Sequence, residues 1–202
     1  MRDETGDLRL HLLAAMAEAL PSPARGDPLD AILADHYRIR AMLALLQDLA
    51  RGRAAARVRE ILGRALLSFL RLDLPQHLAI EEAHVFPLLE HRLRPSDLLD
   101  PSLRRLAEQH RAAEAAMALL IEEIERLLRD PAAPPTPRLR RCAALFAQEE
   151  QRHLAVENAV VLPLARARLT RRDLAGLARE IGALPTAQVP ATRAAAAPAA
   201  PV

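Results

Sequence analysis

Apolar positions recur at helical spacing along most of this chain, and prolines preceded by small polar residues punctuate them. Ile61, Leu62, Ala65, Leu66 and Phe69 fall three and four residues apart, as on a helix with one buried face. Asp27-Pro28, Asp100-Pro101 and Thr136-Pro137 each set a capping side chain before a proline at the first helical position, where the missing N–H costs nothing. The pattern predicts helices over 28–51, 54–93 (after a break at Gly52), 101–129 and 137–168. Pro75 and Pro87 each remove an i→i−4 hydrogen bond, so the second helix is expected to kink or restart there. Pro95 and Asp100-Pro101 close the second helix, and the run from Asp130-Pro131 to Pro135 closes the third. The connections are short, which favours antiparallel neighbours. The expectation is an all-α, up-down-up-down four-helix bundle over 28–168, with an extension over 1–27 that includes a short amphipathic helix. A further short helix capped by Thr170 is expected within 169–184, and an Ala/Pro-rich disordered tail over 185–202.

The pattern also repeats. His77-Leu-Ala-Ile-Glu81-Glu-Ala-His-Val-Phe-Pro87-Leu returns 76 positions on as His153-Leu-Ala-Val-Glu157-Asn-Ala-Val-Val-Leu-Pro163-Leu. The match extends to Arg92-Leu93 against Arg168-Leu169 and to Asp97-Leu98 against Asp173-Leu174. A weaker echo relates His36 to His110, with Ala44-Leu45-Leu46 answering Ala118-Leu119-Leu120. The chain reads as two related helix pairs, each with a histidine on its first helix and His-x-x-x-Glu on its second.

That repeat carries the candidate chemistry. Four helical residues advance about 400°, so His77 and Glu81 share a face, as do His153 and Glu157. A lone histidine on a half-buried helix face needs no ligand. Four, one on each expected helix, two of them followed by Glu at the same spacing, point to a metal site. Counting residues from the turns places the four histidines at comparable heights, within one or two turns. Imidazole with carboxylate suits Fe, Mn or Zn.

Composition narrows the alternatives. Aromatics make up 2% of the 202 residues, which disfavours sheet. All 28 basic residues are Arg, yet they interleave with 26 acids for a net charge of +2, so a solvated helical surface is expected rather than a nucleic-acid face. The single cysteine, Cys142, cannot form an internal disulfide or a thiolate metal site, and is expected as a small core residue. No apolar run approaches the roughly 20 residues that span a bilayer, and the acids around the N-terminal apolar stretch argue against a secretory signal, so no membrane partner and a cytoplasmic location are expected.

His36, His77-x-x-x-Glu81, His110 and His153-x-x-x-Glu157 resemble the ligand pattern of hemerythrin-like, or HHE cation-binding, domains, as does Phe86-Pro87 after Glu81-Glu82. The resemblance implies a di-iron centre, with Mn or Zn less favoured. His36 and His77 would hold one iron, His110 and His153 the other, and Glu81 and Glu157 would bridge. Where oxygen-carrying relatives have another histidine one turn after that of the third helix, this chain has Glu114, either a seventh ligand or an acid beyond the ligands. The implied function is binding of, or reaction with, a small molecule such as O2, NO or peroxide. A di-iron oxygenase, peroxidase or NO-processing enzyme and an iron-storage or iron-responsive module are the alternatives. His84 is expected to pack or support a ligand, Tyr37 to pack, Glu82 to face away from the metals, and His11 and His91 to lie at the surface.

Overall fold

The computed structural model describes residues 26–97 and 99–183. The short helix expected within 1–20 and the tail from 185 lie outside those residues. The described chain is all-α. Helix α1 spans Pro28–Arg51. The second rod is built from α2 (Ala56–Ser68), α3 (Leu74–Ile80) and α4 (Phe86–Arg92), joined through π-helical turns at Phe69–Asp73 and Glu81–Val85. After a 3-10 turn at Pro95–Asp97 comes the third rod, α5 (Asp100–Arg129). The fourth joins α6 (Pro137–Val156) to α7 (Leu162–Arg168) through a π turn at Glu157–Val161, and α8 (Arg171–Ala183) follows. Consecutive rods pack as neighbours, and α6 closes the circle against α1.

The π turns share one cause. The wide hydrogen bonds Leu74 N–H to Phe69 C=O, Phe86 N–H to Glu81 C=O and Leu162 N–H to Glu157 C=O each stand immediately before a proline, at 75, 87 and 163. A proline has no N–H to give and its ring crowds the carbonyl four residues back, so the helix widens by one residue just upstream. The kinks expected at Pro75 and Pro87 therefore take the form of π turns. Pro163 makes a third, which the expectation of an unbroken fourth helix overlooked.

The caps follow local chemistry. Asp27 accepts the Leu29 N–H at 2.8 Å, and Thr136 accepts the Leu139 N–H at 2.9 Å. The Thr136 hydroxyl also donates to the buried Glu123 carboxylate at 2.5 Å. Thr170 and Asp173 cap α8 reciprocally, each side chain accepting the other's N–H. Asp100, expected as a cap, is instead the first helical residue, and Leu99 takes the cap position.

The sequence repeat has a structural counterpart at one end of the bundle. Arg92 grips Asp173 with two hydrogen bonds of 2.9 and 3.0 Å, and Arg168 grips Asp97 with two of 2.8 and 2.5 Å. Each half of the repeat thus supplies the guanidinium for the other half's carboxylate in a two-pronged contact.

Two apolar clusters fill the interior. One gathers Leu43, Leu46, Leu66, Phe69, Leu120 and Ala147 with their neighbours, and the other gathers Leu29, Val85, Phe86, Leu103, Val161 and Leu177. Cys142 is half-buried against the first, and Tyr37, expected to pack, is 61% exposed. On every rod a buried polar residue falls between the two clusters: His36 between Ile32 and Ile39, Glu81 between Leu78 and Val85, His110 between Leu106 and Ala113, and Glu157 between Leu154 and Val161.

Gly52 ends α1 with φ 70°, and a Cβ there would lie 2.9 Å from Pro135 Cδ. Gly52→Ala combines left-handed strain with that collision and is expected to cost about 1–3 kcal/mol, read as a lowered midpoint in denaturant or thermal unfolding with the helical signal retained.

Candidate metal centre

The polar layer is assembled from all four rods. His36 comes from α1, His77 from α3, Glu81 from the π turn that follows, His110 from α5, His153 from α6 and Glu157 from the last π turn. All six side chains are buried, none more than 3% exposed. At the other end of the second rod Arg59 donates to the carbonyl of Ala133 in the connection between α5 and α6 at 2.8 Å.

The six side chains form two groups. His36, His77, Glu81 and Glu157 make one, and Glu81, His110, His153 and Glu157 the other. Within each group the donor atoms lie within 4.8 Å of one another. Both carboxylates belong to both groups, and each turns a different oxygen to each. Glu81 Oε1 is 3.5 Å from His36 Nε2 and 3.4 Å from His77 Nε2, while Oε2 is 3.6 Å from His110 Nε2. Glu157 Oε2 is 3.6 Å from His36 Nε2, and Oε1 is 3.0 Å from His153 Nε2.

The histidines are aimed from behind. His36 Nδ1 meets Asn158 Oδ1 at 2.7 Å, His77 Nδ1 meets Asp35 Oδ2 at 2.9 Å, His110 Nδ1 meets Glu82 Oε1 at 2.9 Å, and His153 Nδ1 meets Gln109 Oε1 at 3.0 Å. These oxygens only accept, so each Nδ1 carries a proton and donates it. A neutral imidazole held this way presents a bare Nε2 to the interior, the tautomer that ligates a cation; without one, His110 Nε2 and His153 Nε2 share a proton at 3.0 Å. Each accepting residue sits beside a donor of another rod in sequence: Asp35 by His36, Glu82 by Glu81, Gln109 by His110, Asn158 by Glu157. The hydrogen bonds therefore run once around the bundle. Glu82, expected to face away from the centre, is 43% exposed yet serves it through His110.

His110 Nε2 and His153 Nε2 meet at 3.0 Å, and other inward atoms are left without partners. His36 Nε2, His77 Nε2, Glu81 Oε2 and both oxygens of Glu157 make no hydrogen bond. Buried polar atoms without partners are costly, and a cluster of lone pairs pointing at common points is what a cation would satisfy. The donor set fits a metal.

Electrostatics in the bare protein say the same. Burial by itself would lower the His77 pKa, but the charge of Glu81, with the hydrogen bond and charge of Asp35, holds it up to about 9. Burial pushes Glu81 up, and the His77 charge with contacts from His36 and His110 brings it down to about 2. Glu157 is raised by burial and then by the like charge of Glu81. His110 is lowered, first by burial. Positive charge is wanted here, and a proton on His77 supplies it when no cation does.

The family profile of the hemerythrin HHE cation binding domain matches residues 27–165. The chain belongs to the hemerythrin HHE cation-binding family. No curated protein matches it. Among the described residues of this HHE domain, the two donor groups gather every histidine and glutamate of the expected ligand pattern except Glu114. Glu114 is exposed on α5 and belongs to neither group. His84 is half-buried and His91 exposed, both outside the groups. His11 lies outside the described residues.

The HHE layer holds one buried acid that sequence reasoning missed. Glu150, on α6 three residues before His153, is 5% exposed. Burial raises its pKa to about 7; the charges of Glu157 and Glu81 add to the rise, and His153 and His77 oppose it. Nothing in the ligand motif marks this position, and its repeat counterpart is Leu74.

The raised groups fix how stability depends on pH when no metal is bound. A histidine or acid whose folded pKa lies above its unfolded value keeps a proton that the unfolded chain has already released. Its contribution is complete below the unfolded value and is lost as pH climbs through the folded one. His77, held at about 9, governs the window from about pH 6.5 to 9, and the upward shifts of His153 and Glu157 have the same sign. The metal-free protein is expected to lose on the order of 3 kcal/mol across that window, measured as unfolding free energy in chelator. A flat or rising profile would contradict this electrostatic account.

Proposed function

We propose that this HHE domain is a non-haem di-iron protein that binds or reacts with a small molecule such as O2, NO or peroxide. One observation carries the reading: two compact donor groups share both of their carboxylates, each carboxylate turning one oxygen to either group. That is the arrangement two adjacent cations need in order to be bridged twice. We further read the four rods as alternating in direction, up-down-up-down, because the connections between them are short.

His36 and His77 would hold one iron, His110 and His153 the other, with Glu81 and Glu157 spanning the pair. Each group offers four donors, fewer than an octahedral ion takes, so a cation held there would keep room for a small ligand. Bound iron supplies one-electron and Lewis-acid chemistry toward such ligands. The protein's own residues do the rest. The Nδ1 hydrogen bonds fix each imidazole plane, and the apolar clusters on either side limit water. His77 gives up the proton it otherwise keeps to about pH 9, so metal uptake releases protons and weakens in acid. Iron is favoured over Mn or Zn by family membership, and the mixed nitrogen and oxygen donors are compatible with it.

Metal analysis with Mössbauer spectroscopy on reconstituted protein tests the proposal. One equivalent of iron is expected for each donor group, with the magnetic coupling of a bridged pair. Glu81→Ala and Glu157→Ala are each expected to lose at least half the bound metal, whereas Glu114→Ala leaves the content unchanged. A single uncoupled iron, or full loading of both bridge variants, would refute it.

A further inference from the structure

Among the described residues, Glu150 is the one buried acid beside the centre that neither group of metal donors uses. The repeat shows why it is unusual. Counting back three residues from His153 gives Glu150, and counting back three from His77 gives Leu74, 1% exposed. The two positions occupy equivalent inward sites one turn before the His-x-x-x-Glu segments. One half of the bundle fills its site with hydrocarbon and the other with a carboxyl, so the packing itself calls for no acid there.

No hydrogen bond holds Glu150 in place among the described residues, and its strongest electrostatic neighbours are His153, Glu157, His77 and Glu81. These belong to both donor groups and to both His-x-x-x-Glu segments, and Glu150 stands one turn before His153 on the buried face of α6. Yet it lies outside the compact sets of donor atoms. The four Nδ1 protons already have acceptors in Asn158, Asp35, Glu82 and Gln109, so Glu150 is not needed to orient a ligand. A carboxyl on a buried helix face lowers stability, and such groups concentrate where function needs them.

We propose that Glu150 is a binding residue for the small molecule that enters the centre, sharing one exchangeable proton with that molecule's outer oxygen or nitrogen atom. It thereby selects ligands of the peroxide and azide class, whose far end can take part in such a bond, over ligands whose far end cannot. This rests on the di-iron reading above. The asymmetry also places the event: the entering molecule sits toward Glu150, and the Leu74 side stays dry.

Azide is the probe. In iron-loaded wild type, optical titration gives its Kd, and the infrared stretch of bound azide is compared in H2O and D2O. The wild-type band is expected to shift in D2O. Glu150→Leu, which copies the other half of the repeat, is expected to abolish the shift and raise Kd about tenfold, the loss of one hydrogen bond. Glu150→Gln, which can still donate, keeps both the shift and a Kd within about threefold. Iron content is expected to be equal in all three. In the metal-free proteins, Glu150→Leu is expected to raise the unfolding temperature. An unchanged Kd and deuterium shift in Glu150→Leu overturns the proposal, as does loss of iron from that variant (Glu150 would then be a ligand) or a lowered unfolding temperature (its role would then be structural). Absence of iron from wild type would overturn the di-iron reading as well, which separates the two failures.

Discussion

The burial of six ionisable side chains at one level of a helical bundle is the constraint that organises this protein. An apolar interior penalises unpaired charge heavily, and here two carboxylates and four imidazoles face one another, each at most 3% exposed. The fold contains the penalty by concentrating it. Hydrophobic clusters above and below carry the packing, and the polar layer is one slab between them. Whatever brings positive charge to that slab stabilises the whole bundle, because all four rods contribute to it.

Rigidity comes from the circuit of hydrogen bonds behind the histidines. Each rod both presents an inward donor and, from the adjacent residue, props up an imidazole of the next rod. Displacing one rod therefore disturbs two histidines. The circuit also keeps the approximate two-fold relation of the repeat while varying its charge. Asp35 is answered by Gln109, and Glu82 by Asn158, so each pair of histidines has one anionic and one neutral support. The reciprocal Arg92–Asp173 and Arg168–Asp97 grips extend the same relation to the end of the bundle.

The repeat made most of this legible in the sequence, because spacing within a helix is fixed by geometry and the segment occurs twice. His77, Glu81, His153 and Glu157 could be read from that alone, and the boundaries marked by prolines and by Gly52 agree with helices beginning at Pro28, Ala56, Asp100 and Pro137 to within two residues. What spacing could not reveal is how each face is turned. Glu114 is one turn beyond His110, yet the inward face of α5 runs through Ala113 and Met117, and the additional rotation of about 40° takes position 114 over the edge into solvent. Glu150 escaped for the opposite reason: it stands among polar residues of α6, and only its burial separates it from its exposed neighbour Glu149. Tyr37 and Glu82 show the same limit, since a side chain's surroundings depend on which helix lies opposite.

The π turns that begin at Glu81 and Glu157 have a consequence for how this chain can vary. Each carries one residue more than an ordinary helical turn would, immediately after the centre and before the segments bearing Arg92 and Arg168. Removing a single residue from each would rotate everything downstream by about 100°, swinging both arginines off their aspartates and the Phe86 ring off the His110 imidazole it stacks against at 5.7 Å. The helical phase just past Glu81 and Glu157 is thereby tied to contacts at the end of the bundle, whereas the connections between rods carry no such tie.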